Sequence, residues 1–147
     1  MCNNCKCRED KVVLKYECEY EISKSSEDSG FDVRCIEDID IKPMEVKMID
    51  LGIKLEIPKE YEVQLRPRSG LSAKGLLIQF GTIDEGYRGE VKAVGINLSG
   101  SEMSFSKGER VGQLVLSKVP CVEVVKVESV SKDTERSVNG FGSSGTL

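Results

Sequence analysis

Residues able to do chemistry gather in two turns. In the first, Asp84, Glu85, Gly86 and Tyr87 sit between the runs Leu76-Leu77-Ile78-Gln79-Phe80 and Glu90-Val91-Lys92-Ala93-Val94. Gly81, Gly86 and Gly89 let this backbone turn tightly and approach another group closely. A carboxylate three residues from an aromatic ring on such a turn suits acid–base chemistry; an ordinary turn started by Asp has the same composition. The second turn is Arg66-Pro67-Arg68-Ser69-Gly70-Leu71. Guanidinium groups, a hydroxyl and exposed backbone N–H groups are the parts of a phosphate cradle. A basic surface loop leading into one short helix reads equally well.

The sequence contains no histidine. That excludes Ser-His-Asp and Cys-His catalysis and histidine-ligated metals. A base working near neutral pH must then be a carboxylate, Tyr, Lys or Cys, and Asp84 is the carboxylate on the special turn. Two further polar residues stand out. Asp32, between Phe31 and Val33, reads as an outward-facing strand carboxylate. Gln113, inside Val111-Gly112-Gln113-Leu114-Val115-Leu116, must face solvent or find hydrogen-bond partners.

The elements that position these groups read as strands. Leu14, Tyr16, Cys18, Tyr20 and Ile22 alternate with charged residues, the pattern of a half-buried strand. A polar loop over 23–29 precedes a short strand over 30–35. Residues 44–58 supply one or two strands with a bend at Asp50 and Gly52, and 61–65 another. Residues 81–98 read as a hairpin carrying Asp84 and Tyr87 at its tip. Residues 99–107 form a second hairpin or a linker, followed by strands over 111–116 and 122–127. Nine or ten strand-like segments, without a long helix or internal repeat, predict an all-β, antiparallel sandwich, jelly roll or barrel.

Size and composition agree with one domain. The 147 residues can bury a sizeable core, and with aromatics at 5% that core must be aliphatic. The net charge of −4 gives no reason to expect nucleic-acid binding, although a local arginine cluster can still attract a small anion. The start is polar and no apolar run approaches the roughly 18 residues of a membrane span. A reducing, cytoplasmic setting with free thiols is expected for the six cysteines. Cys2, Cys5 and Cys7 lie in a loose lead-in over 1–11, where a zinc site would need a fourth ligand from elsewhere; a flexible tail is the simpler reading. Residues 12–130 are expected to form the core. Residues 131–147, rich in Ser and Gly, are either a disordered tail or an arm that orders over a ligand.

Five stretches taken together resemble the ordered motif set of the trimeric dUTPase family. They are Ser29-Gly30-Phe31-Asp32-Val33, Arg68-Ser69-Gly70-Leu71, Gly81-x-Ile83-Asp84-x-x-Tyr87-x-Gly89, Gly108-x-Arg110-x-x-Gln113-Leu114 and Gly140-Phe141-Gly142-Ser143-Ser144-Gly145. The resemblance implies a β jelly-roll homotrimer with active sites at subunit interfaces. The reaction it implies is hydrolysis of dUTP to dUMP and pyrophosphate, which limits uracil in DNA and supplies dUMP for thymidylate synthesis. Asp84 would activate the water that attacks the α-phosphorus. Tyr87 would pack beneath the deoxyribose, and Gly81, Thr82 and Ile83 would read the uracil edge. Arg68, Ser69, Gly70 and Gln113 of a neighbouring subunit would hold the phosphates. From a third subunit, Phe141 and Gly142 would cover the base, with Arg136, Ser143 and Ser144 toward the γ-phosphate. Mg²⁺ would bind chiefly through phosphate oxygens and waters, with Asp32 acting on it through water.

The fifth motif usually begins Arg-Gly-x-Gly-Gly-Phe-Gly. Ser137 and Asn139 replace two of those glycines, which implies a stiffer arm or a different closure. Two alternatives compete. A dCTP deaminase would carry its catalytic Glu five residues beyond the Gly that matches Gly89, where this chain has Val94. A dUTPase-like regulatory module would keep the fold and lose the chemistry, against which the intact Asp84, Tyr87, Arg68 and Phe141 argue.

Overall fold

The computed structural model describes residues 11–135, 137 and 138; Cys2, Cys5, Cys7, Arg136, Phe141, Gly142, Ser143 and Ser144 lie outside them. Ten strands and one short helix follow in order: β1 (Lys15–Glu17), β2 (Phe31–Arg34), β3 (Ile39–Ile41), β4 (Val46–Glu56), β5 (Tyr61–Arg66), α1 (Ser69–Ser72), β6 (Leu76–Ile78), β7 (Gly81–Ile83), β8 (Val91–Asn97), β9 (Met103–Phe105) and β10 (Arg110–Lys118). All strand pairs are antiparallel. One sheet runs β1-β4-β8-β6, the other β2-β10-β5-β7, and β3-β9 forms a small third ladder. This is the expected all-β jelly-roll architecture.

Period-2 patterning explains the layers. On β4, Ile49, Leu51, Ile53 and Leu55 are buried while the residues between them are not. They meet Val63 and Leu65 of β5, Leu76 and Ile78 of β6, and Val111 and Leu114 of β10 in one core. That core is aliphatic apart from Cys35 and Phe105, as the scarcity of aromatics demands. The bend expected at Asp50 and Gly52 is a register shift in the β4–β8 ladder, where Asp50 pairs Lys92 and Ile53 pairs Val91. Two extra residues are accommodated, an even number, so the inward phase survives. Among the described residues, the only buried polar side chain in the core is Asn97. Its Nδ2 donates to the carbonyls of Ile41 and Ser101 at 2.8 Å each, and its Oδ1 accepts from Ser99 N–H at 2.9 Å. Satisfied this way, it ties β3 to the end of β8.

The structure corrects four of the expected elements. The central hairpin is divided: β6 pairs β8, but β7 leaves that sheet and pairs β5 in the other. The three residues of β7 thereby join the two sheets, a crossing that alternation alone cannot reveal because it does not say which sheet a strand enters. The long first strand pairs only over β1, because the later alternating residues have no ladder partner. The strand expected over 122–127 is not one: Val122, Val124, Val125 and Val127 are exposed, and no sheet edge among the described residues receives them. Residues 103–105 of the second hairpin pair instead with β3, which sequence reading did not identify.

Candidate active site

Three strands and a turn build the first part of the site. Across one rung, Asp32 of β2 stands opposite Gln113 of β10, and Gln113 stands opposite Arg66 of β5. β5 ends there because Pro67 has no N–H to continue the ladder. The chain turns at Arg68 into α1, whose N–H groups at Leu71 and Ser72 return to the Arg68 carbonyl at 3.1 and 3.0 Å. Gln113 Nε2 donates to the Pro67 carbonyl at 2.9 Å, which fixes the turn against β10 and answers the polar residue in an apolar run. Gly30 lies directly under the Gln113 amide: a Cβ there would collide with Oε1.

A cleft of roughly 340 Å³ results, lined by Asp32, Arg68, Ser69, Gly70 and Gln113, with Leu71 and Lys74 from the end of the helical turn. Arg68 Nε lies 3.0 Å from one oxygen of Asp32, and Arg110 Nη1 lies 3.1 Å from the other. A register shift between Arg110 and Gly112 in the β2–β10 ladder places Arg110 beside that carboxylate. These pairs are about one-third exposed at Asp32, so each contributes less than about 1 kcal/mol to stability. Their consequence is positional: one carboxylate orients two guanidinium groups. Arg68, Arg110 and Lys74 bring three positive charges against the single Asp32, so the cleft is electropositive within a chain of net charge −4. Sequence reading did not single out Arg110 or Lys74. Arg110 was visible inside a quoted motif; Lys74 had only its place two residues after α1.

The second part is the tip that follows β7. β7 pairs Gly81 with Leu65, Thr82 with Gln64 and Ile83 with Val63. Beyond it, Tyr87 N–H donates to the Asp84 carbonyl at 3.0 Å, closing the turn. Glu85 Oε2 accepts from the Glu60 N–H at 2.8 Å, fastening the tip to the turn before β5. The Tyr87 hydroxyl donates to the Glu90 carbonyl at 3.0 Å, which lays its ring over Gly89. A Cβ at Gly89 would come within 2.7 Å of the Tyr87 Cζ; this glycine is required by close approach. Asp84 is exposed, and among the described residues its carboxylate has no hydrogen-bond or ion-pair partner. Neither Asp84 nor Tyr87 lines the cleft. One chain therefore presents an arginine-lined cleft and a carboxylate-bearing tip as separate features. Val94, the position that would distinguish a deaminase, lies on β8 opposite Met48, away from both.

A family model described as dUTPase matches residues 18–145. A deoxyuridine 5'-triphosphate nucleotidohydrolase from Nautilia profundicola is 47% identical over 125 residues, covering 83% of this chain and 87% of that protein. Another from a Hydrogenobaculum species is 43% identical over 144 residues, covering 95% and 94%. Among solved structures, Staphylococcus bacteriophage 80alpha dUTPase with dUPNHPP superposes with a TM-score of 0.84 at 26% identity, covering 90% of this chain and 98% of that one.

Proposed function

The chain belongs to the dUTPase family, and we propose that it hydrolyses dUTP to dUMP and pyrophosphate at a site shared between subunits of a homotrimer. The strongest support is the electropositive cleft, where Arg68, Ser69 and Gln113 converge across β2, β10 and the turn after β5. It has the chemistry of a polyphosphate holder. The separation of that cleft from Asp84 supports the shared site: among the described residues neither part finds its complement in its own chain.

In this mechanism Arg68, Ser69, Gly70 and Gln113 hold the phosphate chain. Gly81, Thr82 and Ile83 present backbone to the uracil edge. Tyr87, pinned over Gly89, fills the space a ribose 2'-hydroxyl would take. Asp84 of another subunit accepts a proton from water. The water oxygen bonds to the α-phosphorus, the bond from that phosphorus to the bridging oxygen breaks, and pyrophosphate leaves. Orientation and charge neutralisation carry this reaction, and no covalent intermediate is needed. The third subunit's Arg136, Phe141, Gly142, Ser143 and Ser144 complete the enclosure.

The donor set fits a Mg²⁺ ion that arrives on the triphosphate. Asp32 is engaged by two guanidinium groups, and the described residues contain no group of three His, Cys, Asp or Glu side chains suited to a metal. Asp32 would meet such an ion only through water. When bound, Mg²⁺ neutralises phosphate charge. No helix among the described residues is long and apolar enough to cross a membrane.

Hydrolysis in ¹⁸O-labelled water tests the reaction. The label is expected in dUMP, as attack at the α-phosphorus requires. Label in pyrophosphate, or no hydrolysis, contradicts the proposal.

A further inference from the structure

We propose that Lys74 is a further substrate-binding residue whose ammonium holds a non-bridging oxygen in the pyrophosphate half of the triphosphate. The inference rests on the dUTP reading of the same cleft. Lys74 lines that cleft with Arg68, Ser69 and Gln113. Its place is fixed by the turn that carries Ser69: Lys74 N–H donates to the Leu71 carbonyl at 3.1 Å, and Gly75 N–H to the Ser72 carbonyl at 2.9 Å.

What separates Lys74 from its neighbours is charge pairing. Arg68 and Arg110 share the Asp32 carboxylate. The Lys74 side chain is exposed, and among the described residues its ammonium forms no ion pair. The arginines must keep or exchange Asp32 when a phosphate enters; the lysine has no carboxylate to give up. An ammonium is a compact point charge on a flexible stem, suited to a phosphate oxygen approached from a range of angles. Its attraction grows with the charge of the ligand. The triphosphate therefore feels it strongly, whereas dUMP, left with only the α-phosphate, does not. Lys74 discriminates substrate from product by the phosphates that product lacks.

Calorimetric titration of the full chain with α,β-imido-dUTP and with dUMP, at one salt concentration with Mg²⁺, tests this. Lys74→Gln is expected to weaken binding of the imido triphosphate about tenfold, the lower range for a charge-assisted hydrogen bond. Binding of dUMP should stay within about twofold, because no phosphate contact of dUMP is lost. Lys74→Arg should restore most of the triphosphate affinity by retaining the positive charge. Unchanged triphosphate affinity in Lys74→Gln overturns the proposal. So does an equal loss for both ligands, which indicates a distorted cleft. If the wild-type protein binds neither ligand and leaves dUTP intact, both this assignment and the dUTP reading fail; if Lys74 alone is misassigned, wild-type binding and hydrolysis remain.

Discussion

Asp84 and Asp32 are both carboxylates on the strand-rich framework, yet their surroundings suit them to different work. Two guanidinium groups hold Asp32, one on each oxygen, so its lone pairs are already engaged. Asp84 is exposed and unpaired among the described residues, as a water-activating base has to be before substrate arrives. Asp84→Asn is therefore expected to lower kcat on dUTP at least about 100-fold, the usual contribution of a general base. Affinity for α,β-imido-dUTP should change little; stopped-time pyrophosphate assays and calorimetry measure the two effects. Normal turnover by this variant would mean that another group activates the water. The place of Asp84 on a glycine-marked turn was legible in the sequence. The Asp32–Arg68–Arg110 arrangement was not. Which carboxylate an arginine meets depends on the β2–β10 register and on the shift beside Gly112, and alternation in the sequence does not encode that shift.

The element scale turns on the segment between β6 and β8. Sequence periodicity identified both strands and the tip, but not the passage of β7 into the other sheet. That passage places the tip against the turn before β5, where Glu85 fastens it. Glycine at 89 then lets the Tyr87 ring fold down. Gly89→Ala should displace that ring, raise the KM for dUTP and narrow the preference for dUTP over UTP, because a moved ring no longer fills the 2'-hydroxyl position. Steady-state kinetics on both nucleotides measure this, and an unchanged dUTP/UTP ratio would remove Tyr87 from sugar selection. The valines of residues 122–127 teach a complementary lesson. Their alternation is real, but a strand needs an edge to pair with, and the described residues supply none to them. Local pattern records the capacity for pairing; topology decides whether it is used.

At the scale of the whole molecule, the fold class and aliphatic core followed from composition and period. The proposed sharing of the site between chains follows from neither. The cleft and the tip form separate parts of one surface, so a shared site predicts complementation. Asp84→Asn and Arg68→Ala proteins, each nearly inactive alone, should recover activity when unfolded and refolded together. Hybrid trimers then contain sites with an intact tip from one chain and an intact cleft from another. No recovery, despite mixed trimers by native mass spectrometry, would mean that each site is built within a single chain.

Cleft and tip together are proposed to recognise and cleave dUTP. Pyrophosphate release from dUTP, dTTP, dCTP and UTP, each with Mg²⁺ and with the metal chelated, tests it most directly. Rapid release from dUTP alone, slowed by chelation, is the expected result, since the backbone of Gly81–Ile83 rejects dTTP and dCTP by their bases and the Tyr87 ring rejects UTP by its sugar, while the phosphate holders serve all four alike. Comparable release from dTTP or UTP, or ammonia from dCTP, would contradict the account.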